Sequence, residues 1–100
     1  MAIHLDFDKE KLRQVALRRH IVKLALFGSV LREDFGPQSD VDVLVKFAED
    51  SNIDLFDIVD IKEEMEMIFG RTVDLVEDGS IKNPYRQKSI EADKETVYAA

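Results

Sequence analysis

At 100 residues, with 45% hydrophobic and 35% charged side chains, the sequence has the size and composition of one globular domain, 1–100, with room for a single sheet and a few helices. The absence of cysteine excludes a disulfide framework, a thiolate metal site and a cysteine nucleophile. A net charge of −7 argues against stable nucleic-acid binding, which needs Lys and Arg on phosphates, and the lack of a long apolar run or signal pattern argues against a membrane, so a cytoplasmic location is expected.

In chain order, Asp6 to Arg19 reads as a helix, with Leu12, Val15, Ala16 and Arg19 at helical spacing and Asp6 or Asp8 placed to cap its first turn. Ile21 to Phe27 is short, apolar and partly β-branched, which favours a strand. It runs into Gly28-Ser29. From Val30 to Ser39 there is space for one or two helical turns and a break at Gly36-Pro37. Asp40 to Phe47 alternates, with Val41, Val43, Val45 and Phe47 on one face and Asp40 and Asp42 on the other.

Ser51 and Asp54 resemble a capping box ahead of a long helix, whose apolar stripe is read as Leu55, Ile58, Val59, Met65 and Phe69, ending near Gly70. Its acidic run Glu63, Glu64 and Glu66 reads as a solvated face. Thr72 to Val76 is a short strand with Val73 and Leu75 facing one way and Asp74 the other. A loop from Asp78 to Lys82 precedes a helix from Pro84 to about Ala92, and Glu95 to Ala100 reads as an edge strand. Phe27, Phe35, Phe47, Phe56 and Phe69 are expected in or near the core, and His4 and His20 at the surface. The order of elements describes an α/β (α+β) domain, a small sheet of three to four strands with helices packed on it.

The chemistry gathers at the Gly28-Ser29 turn and the three aspartates. Asp40 and Asp42 project together, and Asp74 could face them from a neighbouring strand. Carboxylate oxygens without His or Cys suit a hard divalent cation, above all Mg²⁺, completed by water and substrate phosphate. Gly28 lets the backbone turn sharply towards a ligand, and the N–H groups after Ser29 favour an anion. These parts describe metal-assisted phosphoryl or nucleotidyl transfer. The plainer readings stay open: a simple Gly-Ser turn, a turn residue and a wet strand residue for Asp40 and Asp42, and a loop cap or a partner of Arg71 for Asp74.

The spacing Gly28-Ser29, ten residues, then Asp40-Val41-Asp42, with Asp74 on a later strand, resembles the nucleotidyltransferases of the DNA polymerase β superfamily, from about Val22 to Val76. The short length is most similar to the minimal nucleotidyltransferases that serve as antitoxins beside HEPN toxins. The resemblance implies a mixed sheet of polymerase-β-like fold. It also implies that Asp40 and Asp42 hold two Mg²⁺, that Asp74 holds the metal activating the acceptor, and that Ser29, beside Gly28, binds the distal phosphates of ATP. Arg32 stands where it could reach a phosphate, or it is a surface charge. The implied reaction is transfer of AMP to a tyrosine of a HEPN-type toxin, in a hetero-oligomer. The alternative is a non-catalytic antitoxin that blocks its toxin by complex formation. Transfer to RNA ends or a small hydroxylated molecule fits less well with the acidic charge and the lack of a second domain.

Overall fold

The computed structural model of the chain describes residues 5–31, 36, 39–78 and 83–100. The first helix, α1, spans Lys9–Arg18, and Asp8 Oδ1 caps it by accepting from the N–H groups of Glu10 and Lys11 at 3.0 and 3.1 Å. Asp6 takes no part in that cap. The helix ends where the Arg19 N–H returns to the Val15 carbonyl and His20, exposed, adopts a positive φ of 59°. Strands β1 (Ile21–Phe27) and β2 (Val41–Phe47) follow, and a 3₁₀ turn, Gly28–Leu31, leads out of β1. Asp40 therefore stands one residue ahead of its strand.

Helix α2 spans Leu55–Phe69 and is capped by Asp54, not by the expected Ser51. Its capping box is Asp54 with Asp57, each side chain accepting from the other's backbone N–H at 2.9 and 3.1 Å, and the Ser51 hydroxyl instead donates to the Ala48 carbonyl. Gly70, at φ 68°, closes the helix in the left-handed region. Strand β3 (Val73–Glu77), helix α3 (Pro84–Asp93) and strand β4 (Glu95–Ala99) complete the order.

The four strands form one mixed sheet in the order β3-β2-β1-β4, with β1 antiparallel to both β2 and β4, and β2 parallel to β3. Strand alternation divides its side chains between two layers. On one face Leu24, Leu26, Val41, Val43, Val45 and Val73 pack with Leu12 and Ala16 of α1 and Ile61, Met65 and Phe69 of α2. Full burial of each such side chain contributes about 1.5–3 kcal/mol, so this layer carries most of the fold's apolar stabilisation. The other face is smaller: Ala25, Phe27 and Leu44, with half-buried Val76, lie under Ile90 of α3. Asp42 and Asp74 alternate with Val41, Val43, Val73 and Leu75, so they belong to the α3 face.

The inward stripe of α2 differs from the sequence reading. Met65 and Phe69 are buried as expected, joined by Ile61, but Leu55 and Val59 are 77% and 48% exposed, and Phe56 is 82% exposed rather than in the core. Phe47 is half-buried against the larger cluster, and Phe35 lies outside the described residues. Among the described helices none is long and apolar enough to cross a membrane.

Two of the three acidic residues read as a wet face have structural partners. Glu64 accepts from Arg18 Nη1 at 3.0 Å and from Arg19 Nη2 at 3.3 Å, tying α2 to the end of α1, while Glu66 reaches β3. Burial works against the Glu64 carboxylate, but the hydrogen bonds from Arg19 and Arg18 outweigh it and hold its carboxyl below the usual range; the same Glu64 bond raises the Arg19 guanidinium above its own. A carboxyl lowered in the folded state stabilises above its unfolded value of 4.5 and loses that contribution as pH falls through the lower folded value. Glu64→Gln should therefore be less stable than the parent at pH 6–7 by about 0.5–1 kcal/mol, with the gap narrowing as pH falls below 4.5; urea melts in a pH series read it.

Candidate active site

The site is built where β1 ends and β2 and β3 begin. Phe27, the last residue of β1, pairs across with Asp42. Gly28 follows at φ 74°, and a Cβ added there would overlap the Asp42 Oδ2 oxygen and come within 3.3 Å of its Cγ. The position therefore requires glycine twice, for the left-handed backbone and for the close approach to a carboxylate. Val30 and Leu31, 0% and 6% exposed, anchor the 3₁₀ turn in the core, so the turn containing Ser29 is fixed against the sheet. Arg32 lies outside the described residues.

The parallel register sets Asp42 opposite Asp74. Neighbouring strands lie about 4.8 Å apart, so these two side chains leave the same face side by side. The start of that pairing is pinned by the Val41 N–H, which donates to the Thr72 carbonyl at 2.9 Å. Asp42 is half-buried, while Asp40 and Asp74 are exposed. Among the described residues no three His, Cys, Asp or Glu side chains are gathered into a ready-made metal cage. The donor chemistry nevertheless fits Mg²⁺, which takes one or two carboxylates and fills the rest of its octahedron with water and phosphate oxygens rather than relying on an all-protein cage. Exposed carboxylates reorient on the ps–ns timescale, so Asp40 and Asp74 can follow a cation.

Two further residues position this corner. Glu66 Oε2 accepts from the Val73 N–H at 2.9 Å, reaching from α2 to edge strand β3 immediately before Asp74. Arg71 Nη1 donates to the Gly36 carbonyl at 2.6 Å, and the Ser39 N–H donates to that same carbonyl while the Ser39 hydroxyl accepts from the Gly36 N–H. The approach to β3 is thereby tied to the turn that delivers Asp40. Glu66 carries no distinguishing signal in a run of glutamates, and the 35-residue separation of Arg71 from Gly36 hides their contact.

A mixed sheet with paired aspartates beside a glycine turn places the protein in the class of nucleotidyltransferase folds. A chain of the solved complex of a tri-AMPylated HEPN toxin of Shewanella oneidensis with an MNT antitoxin superposes with a TM-score of 0.65 at 16% identity, covering 92% of this chain and 70% of that one. The sequence profile of the nucleotidyltransferase domain family matches residues 9–97, and the chain belongs to that family. Among its relatives, a protein adenylyltransferase, MntA, of Thermococcus cleftensis is 35% identical over 94 residues, covering 94% of this chain and 87% of that protein. A candidate protein adenylyltransferase of Methanocaldococcus jannaschii is 40% identical over 73 residues, 73% of each chain. The resemblance to minimal nucleotidyltransferases drawn from the motif is borne out, and the protein is a nucleotidyltransferase.

Proposed function

We propose that the chain is an antitoxin, acting as one domain in the cytoplasm, that uses Mg²⁺ and ATP to transfer AMP to a tyrosine of a HEPN-type toxin and so silences it. The observation that carries this reading is the Asp42–Asp74 pair facing out beside the Gly28 turn in a member of the nucleotidyltransferase family. The adenylyltransferase relatives and the AMPylated toxin complex support the donor and the partner class. In this proposal Gly28 admits the triphosphate to close range of the backbone, Ser29 holds its distal phosphates and Arg32 neutralises one of them. Asp40 and Asp42 would hold two Mg²⁺, with Asp74 as a third carboxylate ligand. When bound, the cations supply charge stabilisation for the attacking and leaving oxygens of an in-line displacement. The acceptor hydroxyl attacks the α-phosphorus, its proton is released, and pyrophosphate leaves.

The acceptor comes from another chain, because neither tyrosine of this one is at the site. Tyr98 pairs with Leu24 and packs on the α1 and α2 face, opposite Asp42. Tyr85 opens α3, whose other end leads to Glu95 beside Leu26; a ten-residue helix sets it about 15 Å from that end of the sheet. Incubating the chain and a co-expressed HEPN-type partner with α-labelled ATP should label the partner, and chelation of Mg²⁺ should abolish the label. No label on the partner with the nucleotide bound would overturn the proposal.

A further inference from the structure

Helix α2 presents a second apolar stripe that the fold does not use. Phe56, Val59 and Met67 are 82%, 48% and 86% exposed. At 100° per residue they fall within about 80° of one another, on the side of the helix opposite buried Ile61, Met65 and Phe69. Exposed Asp60 and Glu63 share that outward strip. An aromatic ring and a methionine left in water along a 15-residue helix, with carboxylates set among them, is the composition of a docking face rather than of a solvated surface.

We propose that the outward face of α2 docks a basic amphipathic helix of a partner protein, Phe56, Val59 and Met67 taking its apolar side and Asp60 and Glu63 its Lys or Arg residues. Charge decides the occupant. A second copy would bring the same carboxylates against themselves in a chain already at −7, whereas a basic helix satisfies both features at once. The inference deepens the proposed antitoxin reading by naming how the partner is held, and it rests on that reading for the partner's identity alone. Because α2 covers the sheet face opposite Asp42 and Asp74, a partner seated there leaves the nucleotide site open.

The test uses two synthetic 18-residue amphipathic helices with Leu on one face and either Lys or Glu on the other, titrated into the ¹⁵N-labelled full chain. The Lys peptide should shift the amides of α2 and leave those around Gly28 and Asp74 unmoved, and the Glu peptide should not bind. Phe56→Ser, harmless to the core because the ring is exposed, should weaken the Lys peptide about tenfold. Asp60→Lys with Glu63→Lys should reverse the preference between the two peptides. Retained affinity in Phe56→Ser, unchanged preference in the charge reversal, or concentration-dependent dimerisation through α2 would each overturn the proposal. None of these readouts depends on nucleotidyl transfer, so its failure and that of the proposed activity are distinguishable.

Discussion

Asp42→Asn is expected to lower adenylyl transfer by at least about 10²–10³-fold, since a bound cation contributes several kcal/mol of transition-state stabilisation through its charged ligands. The shape of the side chain is kept and only its charge is lost. Asp42 faces another carboxylate across the parallel pairing with Asp74, so neutralising it should leave the melting temperature within a few degrees of the parent. A labelled-ATP assay paired with thermal unfolding reads both quantities. Loss of transfer with the fold retained marks a chemical role, whereas parallel loss of both marks a structural one. A double variant separates the two antitoxin readings: if a chain carrying Asp40→Asn and Asp42→Asn still neutralises the proposed HEPN-type toxin in cells at normal protein levels, complex formation suffices and the chemistry is idle.

What the sequence made legible follows from which interactions are local. Alternation of period two placed Val41, Val43 and Val45 inward and Asp42 outward, and the same rule separated Asp74 from Val73 and Leu75; all of these hold, because a strand with one buried face has little freedom to slip. Helix α2 was harder for a physical reason. Its sequence carries enough apolar residues for two stripes, and only packing against Leu24, Val43 and their neighbours selects Ile61, Met65 and Phe69 over Leu55, Phe56 and Val59. Capping shows the same competition: Ser51 and Asp54 are both good N-cap residues, and Asp54 prevails because Asp57 returns its hydrogen bond. The link from Arg71 to Gly36 and that from Glu66 to Val73 depend on tertiary approach of segments with no shared periodicity. Asp42 and Asp74 could be named from the chain, but the clamps that hold them could not.

Gly28→Ala should abolish transfer as fully as Asp42→Asn and also destabilise the fold, and Gly70→Ala supplies the matched control. Both glycines occupy the left-handed region, at φ 74° and 68°, where an alanine costs about 1–2 kcal/mol. Nothing lies within 4 Å of a Cβ at Gly70, so that variant should show the backbone cost alone, a fall of about 4–8 °C in melting temperature per kcal/mol with transfer retained. At Gly28 the added methyl meets the Asp42 carboxylate, so either Asp42 is turned out of the site or the end of β1 moves away from β2. A larger fall than in Gly70→Ala is therefore expected. In a Gly28→Ala, Asp42→Ala chain the clash is gone, and the stability lost to it should return while activity does not, a coupling readable in a double-mutant cycle. Equal melting temperatures for the two single variants, with transfer intact in Gly28→Ala, would reduce Gly28 to an ordinary turn residue and remove the turn from the site.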